Sequence, residues 1–286
     1  MKLSVIIPVY NEEKIISGVV DDLKKELIQL GVEYEIIAIN DGSFDKSREI
    51  LERAGGIKLI NHPYNKGYGA SLKTGARAAK YDYLLFFDAD GQHKAEYIEE
   101  MIKHLPENDM VVGSRTGHKG PAIRQPGKKI LTWIANYLVD QKIPDINSGF
   151  RLVRKNLFLK FLSILPNSFS ASTTITLALL KDGYNVKYIP IINNARKNGR
   201  SSVGPKHAAS AILLILRVIM LFNPLKIFMP LAFLLLFFAA ALISVDMIFQ
   251  RHISNSTGII FLTGMIIFVL GLLADQIAAI RREIKR

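Results

Sequence analysis

Two aspartates with a single residue between them follow a strongly apolar run. Residues 83–87 read YLLFF, and Asp88 and Asp90 come directly afterwards in the segment DADGQH. A run this apolar predicts a buried strand, so both acids should lie where that strand ends. Carboxylates that crowd together repel each other unless a cation lies among them. Mg²⁺ or Mn²⁺ would suit such oxygen ligands, since these ions bind through one or two carboxylates plus substrate phosphates. The alternative is a solvated turn.

Alternating strands and helices would position these acids. Apolar runs predict strands at residues 3–7, 34–39, 58–61 and 83–87, and helical spacing predicts helices at 12–30 and 70–79. Such alternation predicts an α/β fold with a mainly parallel twisted sheet and helices on both faces. Ligands of these sheets bind beyond the carboxyl ends of the strands, where Asp41 would join Asp88 and Asp90.

Turn residues predict where these elements begin and end. The first strand is expected to stop at Pro8 and the first helix at Gly31. The helix after Gly42 is expected to be capped by Ser43 or Asp45.

Composition narrows the class of protein. The chain has 286 residues, is 49% hydrophobic and contains no cysteine, which excludes disulfides and thiolate zinc sites. Its formal net charge of +12 could indicate nucleic acid, but many of the cations flank apolar runs. Anionic membrane lipid is therefore the expected partner, and nucleic acid is not. The first residues read as a strand and not as a signal peptide.

Two long apolar runs near the end of the chain predict a membrane hairpin. Residues 227–245 and 253–274 contain no charged side chain, and each approaches the roughly 20 residues that cross a bilayer. Two buried helices of a soluble core are the alternative. Cations flank the hairpin on the side of the larger domain and in the tail 281–286. The positive-inside tendency thus predicts two spans in the cell membrane, with the larger N-terminal domain and the C-terminus in the cytoplasm.

The segment before the hairpin carries a charge inside an apolar stretch. Residues 207–222 read HAASAILLILRVIMLF, and Arg217 would be costly in the middle of a bilayer. This segment is expected to lie in the headgroup plane as an amphipathic helix. The predicted domains are 1–205 for the cytoplasmic α/β domain, 206–223 for the interfacial helix and 224–286 for the hairpin with its basic tail.

Seven motifs, taken in order, resemble the inverting family-two glycosyltransferases. They are VIIPVYNEE (5–13), NDGSFD (40–45), NKGYGASLKTG (65–75), DADGQH (88–93), GSR (113–115), DINSGFRL (145–152) and RKNGRSS (196–202). The most similar branch is the dolichol-phosphate mannose synthase-like, or polyprenyl-phosphate glycosyltransferase, group. The resemblance covers about residues 1–205 and implies a GT-A type nucleotide-sugar-binding domain.

The resemblance also implies a set of site residues. The nucleotide-sugar donor would be bound by Pro8, Tyr10, Glu12, Asp41, Lys73, Asp88 and Ala89. A divalent cation, Mg²⁺ or Mn²⁺, would be held by Asp88 and Asp90 with Gln92. Asp90 and Asp145 would be the catalytic residues. For Lys73 and its neighbouring glycines, a purely structural turn is the alternative.

Arginines would bind the acceptor. The resemblance implies that Arg115, Arg124 and Arg196 hold the phosphate of a polyprenyl or dolichyl phosphate, and the forked guanidinium suits that task. The alternative is a solvated basic face. Asp145 is expected to act as a base or orienting group, or else to pair with Arg151.

The sequence departs from the family pattern in three places. Asn40 stands where many relatives have Asp, Ser202 stands where many have Lys, and residues 168–180 lack an acid that is often present. Each departure concerns the details of substrate contact.

Transfer of one sugar to a polyprenyl phosphate, with inversion, is the function that the resemblance implies. GDP-mannose is the favoured donor, and UDP-glucose or another UDP-sugar is the alternative. A processive polysaccharide synthase is more remote, because the only tryptophan, Trp133, lies outside any Gln-x-x-Arg-Trp motif. The presence of Asp41, Asp88 and Asp90 argues against a non-catalytic membrane adaptor. Self-association into a homo-oligomer is left open.

Overall fold

The described residues of the computed structural model are 1–116, 125–139, 141–194, 219–249 and 252–283. They divide into two units. The larger comprises 1–116, 125–133 and 141–194, and the smaller comprises 134–139, 219–249 and 252–283. Each unit is described by itself.

The larger unit alternates strands and helices as the sequence predicts. Its elements, in chain order, are β1 (Lys2–Val9), α1 (Ile16–Gln29), β2 (Glu33–Asn40), α2 (Ser47–Arg53), β3 (Lys58–Asn61), α3 (Tyr68–Ala78), β4 (Tyr83–Phe86), α4 (Tyr97–His104), β5 (Met110–Arg115), α5 (Gln125–Val139), β6 (Arg151–Arg154), α6 (Lys155–Phe161), α7 (Ala171–Lys181) and β7 (Val186–Ile191). The last residues of α5 belong to the smaller unit.

One sheet of seven strands organises these elements. Its order is β3-β2-β1-β4-β6-β5-β7, and every pairing is parallel except the two that β6 makes with β4 and β5. The mainly parallel α/β fold is therefore confirmed.

Helices cover both faces of the sheet. On one face, Val5 and Ile7 of β1 pack in a core with Leu23 of α1 and Met101 of α4, and each is fully buried. On the other face α3, α6 and α7 contact one another. A sheet covered on both sides explains why its central strands are almost continuously apolar.

The reversed strand β6 brings a later segment to the edge of the sheet where β4 and β5 end. Because β6 is antiparallel to β4 and β5, its first residues lie at the carboxyl ends of those strands, and Arg151 pairs with both Phe86 and Val112. Residues 145–150, which precede β6, therefore reach the same rim as the acids that follow β4.

The predicted end of the first strand is wrong for an identifiable reason. β1 continues through Pro8 to Val9. Ile6 accepts from the Phe87 N–H on the β4 side and Val9 accepts from Asp41 N–H on the β2 side, so Pro8 faces β4 at the point where the β1–β4 pairing has ended. A missing N–H costs no ladder bond there.

One of the two residues predicted to cap helix α2 binds its first N–H group, and the other does not. Lys46 occupies the N-cap position and makes no side-chain cap, but Oδ1 of the predicted residue Asp45 accepts from the N–H of Ser47, the first residue of the helix, at 2.9 Å. The Ser43 hydroxyl accepts from Asn11 N–H at 3.1 Å, and the Asp45 carboxylate accepts from Glu13 N–H at 3.0 Å. These side chains fasten the loop to the chain that follows β1.

The smaller unit contains two long apolar helices, α8 (Leu225–Phe249) and α9 (Asn255–Glu283). Both are long and apolar enough to cross a membrane. Many large side chains on them are exposed, with Phe237 76% exposed. Exposed apolar surface on this scale opposes the alternative of buried helices in a soluble core and is typical of surface that lipid covers.

Close packing and a polar cap hold this helix pair together. A Cβ atom added to Gly271 would lie 2.7 Å from Cβ of Phe228, so glycine permits the close approach of the two helices. At the turn between them, Asp246 accepts from Ser254 N–H at 2.8 Å and from the Thr257 hydroxyl at 2.7 Å. Asp246 thereby satisfies groups at the start of α9.

The predicted interfacial helix lies mostly outside the described residues. Of residues 206–223, the structure describes only 219–223, so placement of this segment in the headgroup plane stays a prediction.

Candidate active site

Two side chains hold the carboxylate of Asp88 at the end of β4. The Tyr68 hydroxyl donates to its Oδ1 at 2.8 Å, and Nε2 of His93 lies 3.2 Å from its Oδ2. Burial alone would raise the pKa of this carboxyl, but the contacts with His93 and Tyr68 lower it below the usual aspartate range. Asp88 is therefore an anion of fixed orientation, with its side chain 25% exposed.

The ring of His93 is itself fixed by aromatic neighbours. It stacks on Phe150 with 5.2 Å between centroids and meets Phe87 edge to face at 5.9 Å. Its Nδ1 is buried and has no hydrogen-bond partner in the described structure. His93 thus supports Asp88 from the interior of the domain.

Gly149 allows the chain to pass directly over Asp88. A Cβ atom on Gly149 would collide with Oδ2 of Asp88 and would lie 2.7 Å from both its Oδ1 and the Tyr68 hydroxyl oxygen. No side chain fits at this position without displacing the carboxylate. The glycine of DINSGFRL is therefore part of the site.

Asp90 shapes the turn that follows Asp88. Its Oδ1 accepts from Gln92 N–H at 3.1 Å, and Gly91 between them has a positive φ of 68°. Ala89 is buried, while Asp90 and Gln92 are half-buried. The strand end therefore presents two oxygen-bearing side chains near the carboxylate of Asp88.

Arg115 and Asp145 form a bidentate ion pair. Nε of Arg115 donates to Oδ2 of Asp145 at 2.6 Å, and Nη2 donates to Oδ1 at 3.0 Å. The side chain of Asp145 is 2% exposed and that of Arg115 is 28% exposed. The alternative in which Asp145 pairs with Arg151 is wrong: the partner is Arg115, because β5 ends next to the segment that leads into β6.

Electrostatics connects this pair to the strand-end acids. The hydrogen bond from Arg115 to Asp145 raises the pKa of the guanidinium, burial opposes this, and the charges of Asp88 and Asp90 raise the pKa further. The guanidinium of Arg115 is therefore in electrostatic reach of both strand-end carboxylates. Nη1 is the nitrogen that Asp145 leaves unused.

Arg151 is fully buried beneath the rim and has no carboxylate partner among the described residues. Its guanidinium donates to the carbonyls of Ser148 and Ile146, at 2.6 and 3.1 Å, and to the Thr176 hydroxyl at 2.5 Å. Burial lowers the pKa of Arg151, and nearby groups, Asp145 and Asp88 among them, oppose that shift. Arg151 therefore holds the backbone of the segment that carries Asp145 and Gly149.

Asp41 is buried and bound by the loop that follows β3. Its carboxylate lies 2.7 Å from Nδ1 of His62 and accepts from the N–H groups of Lys66 and Gly67, both at 2.9 Å. His62 in turn lies 2.9 Å from the Thr74 hydroxyl. Asp41 thus fixes this loop, and its predicted contact with the donor stays a prediction.

The other predicted donor residues lie at two places. Pro8, Tyr10 and Glu12 lie at the end of β1, next to Asp41. Lys73 instead donates to the carbonyl of Leu165 at 3.1 Å, which ties α3 to the loop before α7. Within the described residues no contact joins Lys73 to the strand-end acids, and its structural alternative accounts for the contact that it makes. Arg124 and Arg196 lie outside the described residues.

Sequence reasoning missed several residues that shape the site. They are Tyr68, His93, Gly149 and Arg151. All four lie inside the motifs quoted above, so membership of a motif was the sequence feature that could have pointed to them. What the motifs could not show is which side chains contact Asp88, since that depends on the sheet order.

Asp88, Asp90 and Gln92 stay the predicted ligands of a divalent cation. In the described residues no group of three His, Asp or Glu side chains could hold a metal ion on its own. Two aspartates and an amide at one strand end match an ion that takes its remaining ligands from water and substrate phosphates.

Comparison with known proteins identifies the family. The chain matches the family model "Glycosyl transferase family 2" over residues 4–162, more than half of its length, and "GtrB C-terminal hairpin" over residues 223–280. The chain belongs to glycosyl transferase family 2, and the predicted resemblance is confirmed.

Individual relatives are similar over much of the chain. The undecaprenyl-phosphate 4-deoxy-4-formamido-L-arabinose transferase of Pseudomonas fluorescens is 26% identical over 268 residues, which cover 86% of this chain and 74% of that protein. The dolichyl-phosphate beta-glucosyltransferase ALG5A of Trichomonas vaginalis is 28% identical over 209 residues, 66% of this chain and 64% of that protein.

A solved structure confirms the GT-A type fold. Glucosyl-3-phosphoglycerate synthase of Mycobacterium tuberculosis, in complex with Mn²⁺, UDP-glucose and phosphoglyceric acid, superposes with a TM-score of 0.60. The alignment covers 76% of this chain and 78% of that one at 16% identity. At this identity the match shows a shared fold.

Proposed function

We propose that the protein transfers a single sugar from a nucleotide-sugar donor to a polyprenyl phosphate, with inversion, at the cytoplasmic face of the cell membrane. The observation that carries this proposal is the juxtaposition of strand-end carboxylates with a guanidinium held by a buried acid. Membership of glycosyl transferase family 2, and relatives named for undecaprenyl-phosphate and dolichyl-phosphate acceptors, support the same reaction.

On the donor side, Asp88, Asp90 and Gln92 would hold Mg²⁺ or Mn²⁺. When bound, the ion neutralises charge on the departing diphosphate as a Lewis acid. Asp88 is suited to this role because Tyr68 and His93 fix it as an anion. Pro8, Tyr10, Glu12 and Ala89 would contact the nucleoside diphosphate.

On the acceptor side, Arg115 would bind the lipid phosphate. Asp145 holds Nε and Nη2 of this arginine, so Nη1 is presented in one orientation to an anion. Asp145 is better suited to orienting Arg115 than to acting as a base, because it is buried and engaged bidentately. A phosphate monoester acceptor is already anionic, so positioning and charge stabilisation would supply most of the rate. Arg124 and Arg196 would complete the set.

Two donors remain candidates. GDP-mannose is favoured by the resemblance. A UDP-sugar is the second candidate, because one relative is named a glucosyltransferase and the M. tuberculosis enzyme was solved with UDP-glucose. The hairpin α8–α9 would keep the catalytic domain beside the lipid acceptor, with both ends of the chain in the cytoplasm.

The proposal is tested by incubating membranes that contain the full chain with labelled GDP-mannose, UDP-glucose and other nucleotide sugars plus a polyprenyl phosphate. We expect label from one donor to enter the lipid phase with Mn²⁺ or Mg²⁺, and none in excess EDTA. The variant Asp90→Asn should lose transfer while still inserting into the membrane. Asp21→Asn, an exposed acid on α1, is the matched control and should keep full activity.

Different failures have different meanings. Full activity in EDTA would contradict the cation, and wild-type turnover by Asp90→Asn would contradict the assigned ligand. Absence of lipid-linked label from every donor would overturn the proposed transfer. Label in a polymer in place of a single-sugar lipid would favour the polysaccharide synthase.

A further inference from the structure

Phe44 is a large apolar side chain held in an exposed position beside the donor residues. Its side chain is 83% exposed, and its ring lies 6.0 Å from that of Tyr10 with the two planes at 87°. Tyr10 is itself 42% exposed. The two rings therefore form a corner of two nearly perpendicular apolar walls, at the ends of β1 and β2.

The backbone beneath this corner is tied by reciprocal hydrogen bonds. Asn11, with a positive φ of 55°, accepts from Phe44 N–H at 3.0 Å through its Oδ1 and donates its own N–H to the Ser43 hydroxyl. Further along, Glu12 N–H donates to the Ser47 hydroxyl at 2.8 Å, and Lys46 N–H donates to Glu13 at 3.0 Å. These bonds fix the loop in place. The hydrogen-bonded loop therefore holds Phe44 in its exposed position.

An amide pair lies beside the loop that carries Phe44. The Asn40 side chain accepts from Ser43 N–H at 3.1 Å and donates to Oδ1 of Asn61 at 2.8 Å. Asn40 is 3% exposed, whereas Asn61 is exposed, so the Asn61 amide can still present hydrogen-bonding groups outward. Flat apolar walls next to an amide match a heterocyclic ring, which has π faces and a hydrogen-bonding edge.

We propose that Phe44 is a binding residue for the nucleobase of the donor, forming with Tyr10 the open corner in which the base is seated. A ring lying flat against one wall meets the other with its edge, which is the favoured geometry for aromatic pairs. This inference rests on the proposed function, because it assumes a nucleotide donor.

Binding measurements on the full chain in detergent test the inference. Dissociation constants are determined by calorimetry for UDP, GDP and inorganic pyrophosphate, each with Mn²⁺, for the wild type and for Phe44→Ala. We expect the preferred nucleoside diphosphate to bind about threefold to tenfold more weakly to the variant, the range of an aromatic contact of this kind. Pyrophosphate, which has no base, should bind both proteins equally.

Two further variants complete the design. Phe44→Tyr keeps the ring and should restore the affinity for the nucleotide. Ile28→Ala removes a 67% exposed apolar side chain from α1 and should leave every affinity unchanged. Unchanged nucleotide affinity in Phe44→Ala, or an equal loss for pyrophosphate, would overturn the assignment. If the wild type binds no nucleoside diphosphate at all, the proposed function fails first, and the two failures are thereby distinguished.

Discussion

The two halves of the substrate rim are held in different ways. At the ends of β1 and β2, polar side chains bind mainly loop backbone: Asn11, Ser43 and Asp45 each accept from backbone N–H groups, and Asp41 accepts from two such groups besides its contact with the His62 ring. At the ends of β4 and β5, side chains bind one another, as in the contacts of Asp88 with Tyr68 and His93 and the pairing of Arg115 with Asp145. We call the first the nucleotide rim and the second the charged rim.

Under the proposed function, we expect substitutions in the nucleotide rim to change mainly the affinity for the donor, and those in the charged rim to change mainly the rate of transfer. The nucleotide rim leaves aromatic rings exposed on a fixed loop, so losing one contact there removes a small part of the binding energy. The charged rim holds buried ions, and displacing one leaves a partner unpaired in a poorly solvated place, which is costly. We therefore expect substitutions in the charged rim to have larger effects than those in the nucleotide rim.

Among residues that only support the predicted ligands, the largest effect is expected for Gly149→Ala. The added methyl group would overlap the Asp88 carboxylate and press on the Tyr68 hydroxyl, so the carboxylate must move. Displacement of a positioned group by about 1 Å can cost roughly a hundredfold in rate. We expect turnover to fall about a hundredfold, measured as label transferred to lipid per folded molecule.

A matched glycine serves as the control for this variant. Gly18 lies exposed on α1, and an added Cβ would meet nothing within 4 Å, so Gly18→Ala should keep wild-type turnover. Wild-type turnover by Gly149→Ala would show that Asp88 tolerates displacement, and the contrast between the two rims would be lost.

A smaller effect is expected for Arg151→Lys, which tests a positioning residue. The guanidinium spans two carbonyls and a hydroxyl, and a single ammonium cannot reproduce its planar fork. The segment that carries Asp145 and Gly149 should loosen. We expect kcat to fall about tenfold while the KM for the donor changes less than twofold.

The split between kcat and KM separates positioning from simple support of the fold. Thr176→Val removes only the hydroxyl contact and leaves the carbonyl contacts intact, so its loss of kcat should be smaller. A variant Arg151→Lys that melts earlier but turns over normally per folded molecule would show that Arg151 is structural only.

The sequence predicted the fold and the ends of the strands well, because hydrophobic periodicity and turn residues are local. The strand at residues 58–61 was predicted with its bounds, and the acids after β4 were correctly placed at a strand end. The pairing of Asp145 could not be predicted in the same way. Arg151 follows Asp145 closely in the sequence, whereas Arg115 precedes it by 30 residues. The antiparallel insertion of β6 brings Arg115 to Asp145, and the sequence does not show this insertion.

The sequence also did not show which distant backbone groups its polar side chains bind. Ser43 has the right type for a helix cap but binds Asn11 N–H, and Asp45 binds Glu13 N–H in addition to the first N–H of α2, because the parallel pairing of β1 and β2 brings those loops together. The same pairing turns Asp41 into an acceptor for the loop after β3. Local propensity yields to tertiary contacts at both positions.

The smallest effect is expected for Asp45→Asn in the nucleotide rim. The carboxylate accepts from Glu13 N–H at 3.0 Å through one oxygen and from Ser47 N–H at 2.9 Å through the other, whereas an amide offers one oxygen. One N–H loses its partner, which costs about 1 kcal/mol of stability when the group can still reach water. Because the loop carries Phe44, nucleotide affinity should fall about twofold, and turnover at saturating donor should stay unchanged.

The pH dependence of this stability loss checks its cause. Burial would raise the pKa of Asp45, but the hydrogen bonds from Ser47 and Glu13 outweigh it and lower the pKa. A lowered pKa in the folded state means that the carboxylate stabilises the protein above the ordinary aspartate pKa of about 3.9, and that this contribution is lost as the pH falls through the lowered value. The difference in melting temperature between wild type and Asp45→Asn should therefore be constant from neutral pH down to about pH 5 and shrink below it. A difference that grows on acidification would show that the charge of Asp45 does not stabilise the loop, and the nucleotide rim would then be fixed by the neutral side chains of Asn11, Ser43 and Ser47.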